Sequence, residues 1–320
     1  MTLARHLLSY SVVAVLTLCS FFGYAQGDEQ SPTPLTDTQM TEGDRVLSAL
    51  RSPAAAVFAV WEGNGTRGND PAADLTEEVP RSKDGLVRIR SVSRPTLHYW
   101  KPQSPDGRAV IVFPGGGYNG LAAQHEGTEI AAWLNGQGIT AFICKYRVPR
   151  RPGLSKHHVA LEDAQEAMRF VRSNAAAFRI DPKQIGVMGF SAGGHLSAMC
   201  LHKAEASEQG VSVLPNFALL IYPAYLTTER DTIEAAAELT PVSSDTARPP
   251  VFVAVAVDDP FALGSVSYTL RLRREKTSVE LHMYARGGHG KGLQERGYPF
   301  SKWTQPAARW LEDLKNTSKP

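Results

Sequence analysis

Ile185-Gly186-Val187-Met188-Gly189-Phe190-Ser191-Ala192-Gly193-Gly194-His195-Leu196-Ser197-Ala198-Met199-Cys200-Leu201 carries the densest structural signal in the chain. Residues 185–188 are a short apolar run suited to a buried strand, and residues 195–201 mix small and apolar side chains as a buried helix does. Between them a serine sits at Gly-x-Ser-x-Gly spacing on a strand-to-helix turn. Such a turn is tight and strained, so its neighbours must be small, and it holds the hydroxyl out at the carboxyl edge of a sheet. The following helix brings its N-terminal N–H groups and the positive end of its dipole to the same place. A glycine-rich turn without chemistry would share these five residues. The flanking strand and helix are what favour a nucleophile.

On both sides apolar runs alternate with helical patterns. Residues 109–113, 140–146, 217–222, 251–257 and 279–284 are strand-like, while 128–135, 159–178 and 303–314 space their apolar residues as amphipathic helices. That alternation predicts an α/β fold with a mostly parallel sheet covered on both faces, as one domain over residues 54–316. Residues 86–90 and 96–100 each alternate apolar and polar, which predicts an antiparallel hairpin at a sheet edge. Residues 54–61 are apolar enough to dock on the domain, and 63–80 return to polar loop. Thr, Pro, Asp and Gln dominate from residue 26 to about 43, and residues 26–53 are expected to form a disordered linker.

The 320 residues are 42% hydrophobic and 21% charged, an ordinary globular balance able to bury a sizeable core. A formal charge of +2 gives no support to nucleic acid or an anionic membrane as partner. At the N-terminus Arg5, an apolar run over residues 12–18 and Gly23-Tyr24-Ala25 have the form of a secretory signal peptide, residues 1–25, cleaved after Ala25. The protein is therefore expected to be secreted or periplasmic, without stable membrane insertion after cleavage. Leu18 precedes Cys19 where a lipoprotein has a small residue, which argues against lipidation. The remaining Cys144 and Cys200 are expected to be small buried hydrophobes, not a disulfide framework.

A serine nucleophile needs a base, and the base needs an orienting carboxylate. His289 lies in Gly287-Gly288-His289-Gly290, a loop after the last strand that can swing to the serine edge. The strand before it ends in Asp258-Asp259-Pro260. Adjacent carboxylates point in different directions, so one of the two faces His289; Asp259 is the expected acid and Asp258 the alternative. Asp163 precedes the serine and is expected to cap or pair within its own helix. Donors for an oxyanion are expected from the backbone N–H of Ala192 and from Gly116 and Gly117 in Pro114-Gly115-Gly116-Gly117-Tyr118, where glycines let the backbone approach a substrate oxygen. No Gly-Lys-Ser/Thr follows that loop, so phosphate cradling is a weak rival. His125-Glu126-Gly127 either lines the same mouth or caps the next helix, and His195 is expected to serve packing. No H-E-x-x-H or similar ligand spacing occurs, so neither a metal nor another cofactor is expected.

Taken in order, Pro114-Gly115-Gly116-Gly117-Tyr118, His125-Glu126-Gly127, Gly189 to Leu196, Asp258-Asp259-Pro260 and Gly287 to Gly290 resemble the bacterial esterase/lipase-like α/β-hydrolases that include acetylxylan esterases and related carbohydrate esterases. The likeness spans about residues 100–314. It implies the α/β-hydrolase fold with a short or absent lid, Ser191 as nucleophile, His289 as base, Asp259 as acid, and Gly116, Gly117 and Ala192 near the oxyanion. It implies hydrolysis of carboxylic, chiefly acetyl, esters through an acyl-enzyme, with a small-molecule or polysaccharide ester such as xylan as substrate. A serine peptidase or aminoacyl hydrolase with the same three residues, or a non-catalytic carbohydrate-binding relative, are the alternatives. Two departures stand out. Pro260-Phe261-Ala262-Leu263-Gly264 replaces the family's usual Val-Pro and Asn-Ser, and Lys291 follows His289-Gly290 where an aromatic is usual. Tyr118, His125, Asp258 and Lys291 are the candidates to line the substrate site.

Overall fold

The computed structural model of the chain describes residues 31–50, 54–63, 70–80, 82–203, 210–239, 248–294 and 297–317. The expected signal peptide and its cleavage point lie outside these residues. In chain order the elements are α1 (Glu42–Ala49), β1 (Ala56–Ala59), β2 (Thr96–Trp100), β3 (Ala109–Phe113), α2 (Glu129–Gly136), β4 (Thr140–Lys145), α3 (His158–Ser173), α4 (Ala175–Phe178), β5 (Ile185–Phe190), α5 (Ala192–His202), β6 (Ala218–Ile221), β7 (Val251–Ala256), α6 (Ala262–Arg274), β8 (Val279–Tyr284) and α7 (Thr304–Thr317).

The eight strands form one sheet in the order β1-β2-β4-β3-β5-β6-β7-β8. β2 is antiparallel to both β1 and β4, and from β4 to β8 every pairing is parallel. Strands covered on both faces need apolar residues on both, and β3, β4, β5, β6 and β7 are buried at every position. Along β3 the sides alternate. Ala109, Ile111 and Phe113 join the layer of α1, α3, α4, α5 and α6, whereas Val110 and Val112 join the layer of α2 and α7. β8 closes the sheet as a half-exposed edge carrying Glu280 and His282. Polar edge residues of this kind discourage pairing with another chain.

Three expectations are corrected. The segment 86–90 does not form a hairpin with β2; Ile89 bridges Leu121 and Arg90 bridges Glu78, and the antiparallel neighbour of β2 is β1, from the apolar stretch at 54–61. Within the expected linker, α1 is a folded helix. Thr41 and Asp44 close a reciprocal capping box at its start, Leu47 is buried, and Asp44 also meets Lys145 of β4 at 3.0 Å. A polar composition predicted disorder there, but the polar groups satisfy one another inside the protein. Asp163 pairs outside its helix, receiving Arg147 Nε at 2.9 Å and Trp61 Nε1 at 2.8 Å. Cys144 and Cys200 are buried and free, in line with the sequence.

Candidate active site

Ser191 stands between β5 and α5 with φ 52° and ψ −117°, a left-handed conformation that a residue with a side chain adopts only when its surroundings enforce it. The enforcement is steric. A Cβ on Gly189 would lie 1.9 Å from the carbonyl oxygen of Gly193, and one on Gly193 would lie 2.0 Å from that of Phe113 in β3. The elbow therefore packs backbone on backbone within its own turn and against β3. Its peptide groups are satisfied on both sides: Ser191 N–H donates to Ile221 O at 3.1 Å, and Ser191 O accepts from His195 N and Ala224 N.

Ser191 Oγ lies 2.7 Å from His289 Nε2, and His289 Nδ1 lies 2.7 Å from Asp259 Oδ2. The imidazole is thus held at both nitrogens, with its Nδ1–H donating to the carboxylate and Nε2 left to receive the serine proton. Asp259 is buried, and its other oxygen accepts the N–H of Phe261 at 2.8 Å. Asp258 turns the other way. Its Oδ1 accepts the N–H of Gly287 at 2.9 Å and of Gly288 at 2.8 Å, so it holds the loop that carries His289. Between the two aspartates, Asp259 is the one that meets the imidazole. The rings of Tyr222 and Phe261 both lie 5.1 Å from that of His289.

The glycine loop after β3 abuts the serine: a Cβ on Gly115 would come within 2.8 Å of Ser191 Cβ. Gly116 and Gly117 take φ of +136° and +66°. Among the described residues no acceptor takes the N–H of Gly116, Gly117 or Ala192. The loop is held from beneath by Glu126, whose Oε2 accepts Gly115 N–H at 2.8 Å and whose Oε1 accepts Tyr222 Oη–H at 2.8 Å. Tyr222 Oη in turn accepts Gly292 N–H at 2.7 Å. Burial, and then the Glu126 carboxylate, push the Tyr222 phenol well above its usual range, so it stays a donor. This buried knot ties the glycine loop, the end of β6 and the histidine loop together.

Of the four candidates to line the substrate site, two are corrected. Tyr118 is 1% exposed and its Oη meets His195 Nδ1 at 2.8 Å, beneath the loop. His125 is 3% exposed and sits under Gly292, whose Cβ, if present, would strike the His125 carbonyl at 2.1 Å. Both side chains fill space that a sequence pattern assigns only to a neighbourhood. Asp258 and Lys291 stay near the surface; a Cβ on Gly288 would lie 3.8 Å from Lys291 Cε. The sequence missed Tyr225 and Phe261, which meet edge to face at 5.6 Å. Tyr225 Oη would lie 3.5 Å from a Cβ on Gly117. It also missed the bonding of Glu126 and Tyr222. Positive φ at Tyr222 and Tyr225 clusters strain immediately beside the serine, but only a structure shows it.

Comparison with known proteins places the fold among esterase-like hydrolases. The family model described as BD-FAE matches residues 98–218. An acetylxylan esterase of Xylanibacter ruminicola is 29% identical over 266 residues, covering 77% of this chain and 52% of that protein. Endo-1,4-beta-xylanase B of Butyrivibrio fibrisolvens is 28% identical, covering 61% and 34%. The chain thus spans about half, or less, of the length of these curated relatives. The crystal structure of an acetyl ester-xyloside bifunctional hydrolase from Caldicellulosiruptor lactoaceticus superimposes with a TM-score of 0.64 at 30% identity, covering 82% of this chain and 97% of that one. With elbow, parallel sheet and near-complete coverage of that enzyme in agreement, the chain belongs to the esterase/lipase-like α/β-hydrolases of the acetylxylan esterase type.

Proposed function

We propose that this protein is a serine esterase that releases acetyl groups from carbohydrate esters such as acetylated xylan. The observation that carries the reading is the unbroken hydrogen-bond chain from Asp259 through His289 to Ser191, 2.7 Å at each step, beside a glycine loop with free N–H groups. In this mechanism Ser191 Oγ attacks the ester carbonyl as His289 Nε2 takes its proton, and Asp259 steadies the imidazolium. The developing oxyanion is met by N–H groups of Ala192 and of Gly116 or Gly117. A preorganised donor of this kind lowers the barrier by about 3–4 kcal/mol. His289 then protonates the departing alcohol, an acyl-enzyme remains on Ser191, and a water activated by the same imidazole releases acetate. The carbohydrate assignment rests on the names of the relatives, an acetylxylan esterase and an acetyl ester-xyloside hydrolase. The apolar leader supports secretion, where such a substrate would be met.

The test is acetate release from acetylated xylan and from an aryl acetate, with wild type and Ser191→Ala side by side. Release from both, lost in the variant, is expected. Hydrolysis of the aryl acetate alone would retain the mechanism and remove the xylan assignment. Equal inertness of both proteins would remove the mechanism as well.

A further inference from the structure

Beneath Tyr118, away from the Ser191–His289 pair, three groups converge. His157 precedes α3, His195 lies in the first turns of α5, and Glu238 belongs to the short turn Ala237–Leu239. One ligand atom from each lies within 4.8 Å of the other two. His195 is fully buried and His157 is 7% exposed, yet among the described residues His195 Nε2 and His157 Nδ1 have no hydrogen-bond partner. A buried polar nitrogen without a partner is costly and is rarely left so without reason. His195 Nε2 faces Glu238 Oε1 at 3.6 Å, too far for a hydrogen bond, while His195 Nδ1 meets Tyr118 Oη at 2.8 Å. In the tautomer that carries its hydrogen on Nδ1, Nε2 presents a lone pair to the Glu238 carboxylate, and a cation between them serves both.

We propose that His157, His195 and Glu238 form a binding site for a divalent transition-metal ion, Zn²⁺ by its donor set, that ties the start of α3, the helix behind the nucleophile and the 237–239 turn together. Two imidazoles and a carboxylate are a donor set that zinc takes, with a fourth position left to water. Ligands at about 2.0–2.2 Å from zinc stand about 3.3–3.6 Å apart in a tetrahedron. The 3.6 Å between His195 and Glu238 is already close to that, and Glu238, 31% exposed, has room to rotate toward His157. Burial pushes His195 down and His157 down to about 4, so both rings are neutral and their lone pairs available. The Tyr118 hydroxyl orients the His195 ring through Nδ1, as an outer partner orients a metal-bound histidine. One group competes: Lys156 Nζ lies 3.8 Å from Glu238 Oε1, over the ring of Tyr225. The site is structural; no step of the ester chemistry passes through it.

The full chain, stripped with a chelator, is titrated with Zn²⁺ by calorimetry beside Glu238→Gln and His157→Gln. Wild type is expected to bind one Zn²⁺ per chain, with affinity at least ten-fold weaker in either variant, and to gain a higher Tm with zinc that the variants do not show. Co²⁺ in place of zinc is expected to give a visible ligand-field spectrum that Glu238→Gln abolishes. Lys156→Ala removes the competing ammonium while keeping every ligand, and is expected to tighten zinc binding several-fold even if a histidine variant does not fold. Absence of stoichiometric binding by wild type, or an unchanged affinity across the Glu238 and Lys156 variants, would overturn the proposal.

Discussion

Glu126 and Asp44 are both buried carboxylates, and they are stabilised in opposite ways. Glu126, under the glycine loop, accepts from neutral donors, a backbone N–H and a phenol. Asp44, at the start of α1 against β2 and β4, meets a buried ammonium, Lys145 Nζ at 3.0 Å, together with Thr96 Oγ1 at 2.6 Å and His98 Nε2 at 3.1 Å. Glu77 joins the same lysine at 2.6 Å. The first arrangement fixes where backbone N–H groups point without placing a counter-charge near Ser191. The second fastens α1 and the loop at 77 to β4, where only strength and register matter. Position relative to the serine edge decides which solution the fold uses.

The largest effect tests the premise that the serine edge is where chemistry occurs. Ser191→Ala and Asp259→Asn are each expected to lower kcat on an aryl acetate by about 10⁴-fold, with denaturation midpoints close to wild type. Activity that survives Ser191→Ala would dissolve the contrast, since neither carboxylate would then serve a catalytic centre.

Next in size, Lys145→Met is expected to destabilise the fold by about 3–5 kcal/mol, because removing one partner leaves a buried charge unpaired. Urea denaturation reads this, while kcat of the folded fraction stays within a few-fold. The pH dependence follows from Asp44. Burial raises its pKa, but Lys145 and His98 outweigh that, and the carboxyl ends well below its ordinary value. A folded pKa below the unfolded one stabilises fully above the unfolded value, about pH 4, and that share is lost as pH falls toward the folded value. Wild type and Asp44→Asn are therefore expected to differ most at neutral pH and to converge in acid.

Glu126→Gln sharpens the comparison from the other side. An amide keeps one acceptor but turns N–H groups toward Gly115 or Tyr222. A loss of about 10–100-fold in kcat, equal to about 1.4–2.7 kcal/mol in the barrier, is expected with little change in KM. A fall in stability with unaltered kcat would make Glu126 a counterpart of Asp44. Smallest is Asp258→Asn, which retains a carbonyl acceptor for the Gly287 and Gly288 N–H groups. Less than about 1 kcal/mol is expected here, and a loss as deep as that of Asp259→Asn would reverse the choice between the two.

Much of this was legible beforehand because it rests on local constraint. The elbow glycines, the apolar runs of β3 to β7 and the loop after β8 each follow from a short stretch and its spacing. What was hidden depends on partners distant in sequence. Asp44 and Lys145 are far apart in the chain, so α1 looked like polar linker until its charges were seen to meet inside. Alternation at 86–90 was real, but it could not reveal that Leu121 and Glu78 were its neighbours rather than β2. Glu126 sits in a motif that did not tell its partner, and Tyr222 carries none; their roles arise from a hydrogen bond between the glycine loop's support and the end of β6. A motif places a residue in a neighbourhood and leaves its direction open, which is why Tyr118 and His125 point beneath the loop.

The crowding around Ser191 has a consequence for laboratory evolution. Gly189 and Gly193 have carbonyl oxygens within about 2 Å of any added methyl, so libraries that diversify the elbow will yield mostly misfolded clones. Tyr225 and Phe261 stand half-buried beside the site, with Arg230 stacked on Phe261 at 5.1 Å, and neither belongs to the Ser191 turn itself. Mutational search for altered activity has its freedom in those aromatics, around a serine turn that tolerates almost no variation.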